Sequence, residues 1–432
     1  MVQSYLTLLG CCQPVFVQAR TFALFRQLVD AWVLCTTRRT VTGLLPFIPA
    51  AERRAHDAYH HFFQHAVWEP DLLFDLLLRG LVRALLPDGR LTLDLDDTLH
   101  HKTGRQVVGA GWWRDAVRST GPQTVTAWGL NLLVLTLRIT PPWGGMPLGL
   151  PVRVRVHRKD GPTYFDLAEE MIRSVATVVP GCLLSVCADG FYAPLAARLP
   201  RAIAFTSRLR RDAALYDEVG YRPSGTRGRK PHKGPRLPAL RTLAEEAGAL
   251  GLCSLTAMTR CQQTVERLVY TRLVYWDGVW VRLVIVRDPD GREHDDFFFT
   301  TALDACALDV PDHYGGRWSI ELTFRDVKQL LGGQEPQCWA DQGPARTATL
   351  AYWLYALVWT AFLLASPAEQ HQACQPRPWY PQKATPSFAD ALANLRRALW
   401  HRRITPRAGT NTAHGINPTD VEVLIDHAAR AA

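Results

Sequence analysis

The chain has 432 residues, of which 47% are hydrophobic and 21% are charged. This composition excludes a disordered chain, and the length is sufficient for two or three domains. A formal net charge of +9 favours a polyanionic partner such as nucleic acid, although charge alone does not identify one.

The cysteines and the N-terminus exclude further classes of protein. Ten cysteines are scattered along the chain without any C-x-x-C pair, so we predict neither a zinc site nor a disulfide framework. The first residues, MVQSYLTLLGCC, contain no basic leader. We therefore expect no signal peptide and a cytoplasmic location.

Residues 1–88 are predicted to form a helical N-terminal domain. The stretches TFALFRQLVDAWVLC and DLLFDLLLRGLVRALL carry apolar residues at helical spacing, and Pro-Asp-Gly at 87–89 ends the block. The arginine pairs at 38–39 and 53–54 are compatible either with DNA contact or with a solvated face. We expect this domain to bind DNA.

The period then changes to that of strands, and residues 89–211 are assigned to one core. Strands are expected at 91–97, 124–139, 149–158, 182–189 and 202–210, with helices at 164–179 and near 192–199. This order is that of an RNase H-like core without its last helix: three strands, a helix, a strand, a helix and a strand.

The first of these strands admits two interpretations. LTLDLDDTLHHKTG (91–104) contains D-x-D-x-T-L, which resembles the first motif of haloacid-dehalogenase phosphatases, with Asp94 as nucleophile and Asp96 as acid/base. The same stretch also fits the first metal-binding strand of an RNase H-type nuclease. The phosphatase fold requires a helix directly after the first aspartates, whereas two further strands follow here, which favours the nuclease.

Residues 212–311 are predicted to be a basic loop followed by a β-rich insertion that splits the core. The loop RPSGTRGRKPHKGPRLP (222–238) is rich in glycine, proline and cations. Strand-rich stretches follow, with turn signals at Asp277-Gly278 and Asp290-Gly291.

Residues 312–366 are assigned to the last helices of the core. HYGGRWSIELTFRDVKQLLGG (313–333) is predicted as one helix on which Arg317, Glu321 and Lys328 form a row beside an apolar stripe. The 22 uncharged residues between Arg346 and Glu369 are long enough to span a membrane. We expect a buried core helix instead, because the segment is single and follows a charged helix.

The remaining residues, 367–432, are assigned to a Pro-rich linker and a helical tail. FADALANLRRALWHRRI (388–404) is an amphipathic basic helix that fits contact with DNA or with a second subunit. The predicted architecture is therefore α/β, with an RNase H-like core split by a β-rich insertion between helical N- and C-terminal parts.

The spacing Tyr314, Arg317, Glu321 and Lys328 resembles the Y-R-E-K signature of insertion-sequence transposases of the DDE class. In that family an Asp-Thr pair at the end of the first core strand supplies the first acid, which corresponds to Asp97 and Thr98. A second acid ends the fourth strand and corresponds to Asp189. The resemblance covers nearly the whole chain.

The resemblance implies a metal-dependent DNA transposase. Asp97, Asp189 and Glu321 would be the catalytic carboxylates that hold two Mg²⁺ ions, for which Mn²⁺ would substitute. Tyr314, Arg317 and Lys328 would contact double-stranded DNA at the cleaved transposon end. Relatives with this signature often pass through a DNA hairpin, so cut-and-paste transposition is expected.

Two further DNA contacts are predicted in the insertion. Arg227, Arg229 and Lys230 belong to RGRKPHKG, which resembles a loose AT-hook, and a solvated loop is the alternative. Trp276 is the candidate for stacking on a flipped base, as an aromatic residue of the insertion does in relatives, although strand tryptophans usually lie in the core. A homodimer in the synaptic complex, a bacterial nucleoid-associated location and no membrane partner complete the expectation.

Three questions stay open at this level. Asp96 instead of Asp97 could be the first metal ligand, although strand alternation places Asp97 on the opposite side of the strand from Asp94 and Asp96. A phosphatase remains the alternative enzyme. A domesticated, non-catalytic DNA-binding descendant is the alternative without enzymatic activity.

Overall fold

The computed structural model describes residues 1–220, 229, 231–249, 254–260, 263–374, 376, 378, 380–408 and 418–430. The protein is of mixed α/β type, and its chain divides into two compact units. Unit 1 comprises Met1–Pro87, Asp97–Thr163 and Glu321–Ala432, and unit 2 comprises Asp88–Asp96 and Tyr164–Ile320.

Unit 1 is largely helical. As predicted, its N-terminal part consists of helices: α1 (Val2–Cys11), α2 (Ala19–Leu34), α3 (Val41–Leu44), α4 (His56–Gln64) and α5 (Pro70–Leu85), with short 3₁₀ turns at Gln13–Val15 and Leu45–Phe47. Its C-terminal part contributes α11 (Gly343–Leu363), α12 (Pro367–Ala373), α13 (Phe388–Ala408) and α14 (Pro418–Arg430). On α13, Arg396 is 3% exposed and its guanidinium donates to the carbonyls of Val33 and Cys35, so one face of this basic helix packs on α2.

The sheet of unit 1 is antiparallel. It contains β2 (Gly111–Arg114), β3 (Thr126–Ile139) and β4 (Leu148–His157), and β3 also pairs with the end of β1 (Arg90–His101). β3 and β4 were predicted, whereas β2 is too short to show a period. Gly129 allows the close approach of β1, because a Cβ at this position would lie 2.2 Å from the His100 carbonyl oxygen.

The apolar helix α11 lies in the core of unit 1, as predicted. Nearly all of its residues are buried, and the Trp353 indole donates to the Leu73 carbonyl at 3.1 Å. In the described part of the chain, no single helix has the length and apolar composition of a membrane span. The pair α11 and α12, bent by 120°, meets both criteria only when taken together.

Unit 2 is built on a mixed sheet. Its strands lie in the order β1, β5 (Leu183–Ala188), β6 (Ala204–Arg208), β10 (Asp296–Thr300), β9 (Val279–Arg287), β8 (Gln263–Trp276) and β7 (Ser254–Arg260). The first three are parallel and the others antiparallel. The strands expected at 264–303 thus continue the sheet that β1, β5 and β6 begin. Asp277 (φ 45°) and Gly278 (φ 89°) form the predicted hairpin turn.

The helices of unit 2 are α6 (Tyr164–Val178), α7 (Leu195–Arg198), α8 (Leu240–Ala249) and α9 (Asp309–Gly315), with a 3₁₀ turn at Gly190–Tyr192. The single helix predicted at 313–333 is wrong, because α9 ends at Gly315 and α10 spans Trp318–Gln329. Two adjacent glycines at 315–316 weaken the helix, and the backbone tightens to i→i+3 bonds such as Arg317 N–H to Tyr314 O at 3.1 Å. The signature residues therefore lie on two helices and the turn between them.

Candidate active site

Two aspartates of β1 are engaged by Arg317, in the turn that follows α9, and by Ser319, at the start of α10. Asp94 is completely buried, and the Ser319 hydroxyl donates to its carboxylate at 3.1 Å. The Arg317 guanidinium donates through Nη1 to Asp96 Oδ2 at 2.6 Å, and the two side chains are only 11% and 14% exposed. A buried carboxylate that already accepts a hydrogen bond is poorly placed to attack a substrate, which argues against Asp94 as a phosphatase nucleophile.

Asp97 lies one residue further, in unit 1, and is half-buried. Asn131 on β3 donates to Asp97 Oδ2 at 3.3 Å. Burial lowers the pKa of His157, and the Asp97 carboxylate opposes this shift, so the imidazole lies within electrostatic range of the carboxylate. The sequence analysis missed Asn131, since its only signal was a polar residue within an apolar strand.

Glu321 and Lys328 both lie on the unit 1 part of α10, two turns apart on one face. The Lys328 ammonium donates to Thr98 Oγ1 at 2.7 Å, and Thr98 is 8% exposed. Burial lowers the pKa of Lys328, while the carboxylates of Asp115 and Glu321 oppose the shift. Unit 1 thus brings the last residue of the signature against the Asp-Thr pair at the end of β1.

Asp189, Tyr314 and Arg317 line one cavity of unit 2, with a volume of about 480 Å³. Asp189 directly follows β5, and its carboxylate caps the next turn by accepting the Phe191 N–H at 2.9 Å. Burial raises the pKa of Tyr314, and the charges of Arg317 and Arg208 oppose this shift.

Arg208 is a residue of this cavity that the sequence analysis did not select. Its guanidinium lies 5.8 Å from the centre of the Tyr314 ring and 5.5 Å from that of Phe298, and it pairs with Asp296. The available signal was its position as the first of several cations at the end of a predicted strand. The cavity is therefore lined by both signs of charge. It combines Tyr314 and four arginines, which are suited to an anion, with the carboxylates of Asp189, Asp295 and Asp296.

A second cavity, in unit 1, lies beside the loop that follows β1 and includes Lys102. The Lys102 ammonium donates to the carbonyls of Gln334 and Pro336, both at 2.9 Å. Burial lowers its pKa to about 8. His101 Nε2 and Asp115 Oδ2 lie 2.9 Å apart in the same region. The sequence analysis did not select Lys102, because no sequence pattern indicates that the loop after β1 lies beside the loop with Gln334 and Pro336.

The residues of the insertion that are predicted to contact DNA lie in different surroundings. Trp276 ends β8, is half-buried and lies 5.1 Å from the Phe299 ring, outside the residues that line the cavity of unit 2. Arg229 contacts His232 Nε2 at 3.1 Å. Arg227 and Lys230 lie outside the described residues.

The predicted metal ligands fall in both units, Asp97 and Glu321 in unit 1 and Asp189 in unit 2. Among the residues that the structure describes, no group of three or more His, Cys, Asp or Glu side chains is arranged to hold a metal ion. The chemistry of the donors nevertheless fits a hard cation, because all three are carboxylates that are half-buried and reachable by solvent.

The comparison with known proteins identifies a family. A family profile described as DDE superfamily endonuclease matches residues 13–265, more than half of the chain. The matched segment contains Asp97 and Asp189 and ends before Tyr314. A search of curated proteins found no match. The chain therefore belongs to the DDE superfamily of endonucleases.

Proposed function

We propose that the chain is a transposase of the Y-R-E-K branch, which cuts DNA at the inverted-repeat ends of its own element and transfers the cut ends to a target. The observation that carries the proposal is the bond from Lys328 to Thr98, because it attaches the signature helix to the residue after Asp97. Membership of the DDE endonucleases supports DNA as the substrate. The order of β1, β3, β4, α6, β5, α7 and β6 supports an RNase H-like core.

In this proposal Asp97, Asp189 and Glu321 supply the carboxylate oxygens for two Mg²⁺ ions, with Mn²⁺ as a substitute. When bound, the ions activate the attacking oxygen and stabilise the leaving oxygen of the phosphodiester. The half-buried position of these carboxylates supports the assignment, since a metal ligand has to be both accessible and held in place. Asp96 is the weaker candidate for the first ligand, because Arg317 already engages it.

The cationic and aromatic side chains would hold the DNA backbone. Lys328 keeps its ammonium on Thr98 and would present a positive charge to a phosphate of the transposon end. Tyr314 and Arg317 would contact a phosphate that enters the cavity of unit 2. Trp276 and the segment with Arg227, Arg229 and Lys230 remain proposed contacts, to a flipped base and to the minor groove.

Further details follow from the resemblance alone. We propose cut-and-paste transposition through hairpin ends, on double-stranded DNA, by a homodimer in the synaptic complex. Mixing a variant of a catalytic carboxylate with a variant of an end-binding residue tests the dimer, because cleavage in trans would restore activity to the mixture.

The decisive experiment uses a donor plasmid that carries the native flanking DNA of the gene. Purified protein with Mg²⁺ should make double-strand breaks at fixed flanking positions, and Glu321→Gln should reduce their rate by more than about 100-fold, because it removes a charge that stabilises the reacting centre. Glu245→Gln is the matched control, since this glutamate is 55% exposed and pairs with Arg241 on the same helix.

Three outcomes would contradict the proposal. Cleavage that survives Glu321→Gln would remove Glu321 from the reaction. Absence of DNA cleavage by the unaltered protein, together with phosphate-ester hydrolysis that Asp94→Asn abolishes, would favour the phosphatase. An intact fold with DNA binding but no cleavage would indicate the domesticated descendant.

A further inference from the structure

Asp96 is a charged residue that the proposed chemistry leaves without a role. It is in the sequence stretch that resembles a phosphatase motif, and it is 14% exposed at the end of the paired part of β1. The last parallel pair of β1 and β5 joins Leu95 to Ala188, so the next residues along the two strands are Asp96 and Asp189. Asp96 thus lies at the carboxyl end of two parallel strands, where sites of α/β sheets form.

The partner of Asp96 lies on a segment with little regular structure of its own. Between α9 and α10 the backbone is held by i→i+3 bonds, from Arg317 to Tyr314, from Ser319 to Gly316 and from Ile320 to Arg317, at 3.0–3.1 Å. The glycines at 315–316 supply no side chain to pack. The conformation of this turn therefore depends on the side chains that fasten it to β1.

Two hydrogen bonds connect this region to β1. Ser319 donates to Asp94, and Arg317 donates to Asp96. Asp94 and Asp96 are two residues apart on a strand, so their side chains leave the same face of the sheet. The turn and the start of α10 are therefore both bound to one face of β1.

The bond to Asp96 also restricts the direction of the guanidinium. This group is planar and rigid, so a charge-assisted bond through Nη1 limits the orientations of the plane, and the centre of the Tyr314 ring lies 5.5 Å from the same guanidinium. Arg317 lines the cavity that contains Asp189 and Tyr314. Asp96 therefore contributes to how the guanidinium faces that cavity.

We propose that Asp96 is a positioning residue, which holds Arg317 in the orientation that binds a DNA phosphate in the cavity of unit 2. This inference rests on the proposed transposase function. Asp96 touches neither the DNA nor the metal ions, and acts through Arg317. The aspartate that resembles part of a phosphatase motif is thus a counter-ion to a DNA-binding arginine.

A mutant cycle of Asp96→Asn, Arg317→Gln and the double variant tests the proposal on donor-end DNA with Mg²⁺. Each single change should lower the cleavage rate by about 10- to 100-fold, as loss of an outer supporting partner does. The double variant should match Arg317→Gln within about twofold, because Asp96 has nothing to position once the arginine is gone. Losses that multiply would overturn the proposal.

Two readouts separate positioning from other roles. The affinity for end DNA, measured in EDTA, should fall by about tenfold or more in Asp96→Asn. The affinity of Arg317→Gln should fall by a similar factor. The Mg²⁺ concentration for half-maximal cleavage should stay within about twofold of the unaltered value. A tenfold rise in that concentration would make Asp96 a metal ligand and overturn the inference.

The controls address folding and the proposed function. Thr206→Val removes a buried hydrogen bond to Thr300 in the same unit. If this variant lost as much cleavage as Asp96→Asn, the loss in Asp96→Asn would be explained by lower stability of the unit. If Asp96→Asn does not fold, Arg317→Gln and the double variant still have to be equal, since neither leaves a buried arginine unpaired. If the unaltered protein fails to cleave end DNA, the proposed function fails; if it cleaves and the cycle is additive, only this inference fails.

Discussion

Replacing Thr98 by valine tests the attachment of α10 to β1. Valine keeps the shape of threonine but removes the oxygen that accepts the Lys328 ammonium at 2.7 Å. Because Thr98 is 8% exposed, water has little access to replace this acceptor. A hydrogen bond to a charged group contributes about 1.5–3 kcal/mol, so the free energy of unfolding should fall by that amount.

The same change should reduce DNA cleavage. A loss of about 2 kcal/mol in holding the ammonium corresponds to about a 30-fold lower rate if Lys328 has to stay charged and in place. Urea unfolding at pH 7, followed by circular dichroism, gives the stability. Cleavage of donor-end DNA with Mg²⁺ gives the rate under the same buffer conditions.

A double-mutant cycle with Lys328→Met isolates the interaction. In the absence of the ammonium, Thr98→Val should cost little, so the coupling energy should be about 1.5–3 kcal/mol. Thr206→Val is the control for a hydroxyl bonded to a neutral partner, Thr300, and should cost about 1 kcal/mol. A coupling below about 0.5 kcal/mol, the usual limit of additivity, would refute the reasoning.

Three further changes test other parts of unit 1. The pKa of Lys102 is lowered to about 8 in the folded protein but is about 10.5 in the unfolded chain. Between pH 8 and pH 10.5 the unfolded chain therefore binds more protons than the folded protein. The free energy of unfolding should rise with pH in this window by up to about 3 kcal/mol, and Lys102→Met should abolish that rise in urea titrations at pH 7 and 9.5. Asp75→Asn should cost about 1.5–3 kcal/mol in urea unfolding, because Arg153, 2% exposed, loses the partner at 2.5 Å and retains Asp71 at 4.0 Å; a cost below 1 kcal/mol would contradict this. Gly129→Ala should lower the melting temperature or prevent folding, because its Cβ would meet the His100 carbonyl oxygen at 2.2 Å, and an unchanged melting temperature would refute the close approach.

Strong local patterns predicted most of the regular elements. The strand at 124–139 was found because a largely apolar run is typical of a strand buried on both faces, and β3 occupies Thr126–Ile139. The hairpin at Asp277-Gly278 followed from the positive φ that its turn type requires. In contrast, β2 is four residues long and depends on pairing with β3, which no local period reveals.

The candidate site residues were chosen from their spacing, which does not reveal their contacts. The spacing of the signature selected Tyr314, Arg317, Glu321 and Lys328. It did not show that the helix carrying Tyr314 ends at Gly315 and that a second helix carries Glu321 and Lys328. Likewise, alternation along β1 predicted the opposite orientation of Asp96 and Asp97. The partners of these aspartates come from residues more than 30 positions away, so only the folded chain identifies Arg317 and Asn131.

The division of the chain has a consequence for its synthesis. Unit 1 contains Asp97–Thr163 and resumes only at Glu321, so the 157 residues from 164 to 320 are made between these parts. At a translation rate of about 5–20 residues per second, β3 and β4 emerge from the ribosome about 8–30 s before α10 and α11 can cover them. Apolar strands exposed for that long are prone to aggregation. Heterologous expression should therefore gain from slow growth at low temperature or from added chaperones more than from truncation, since no continuous fragment contains either unit alone.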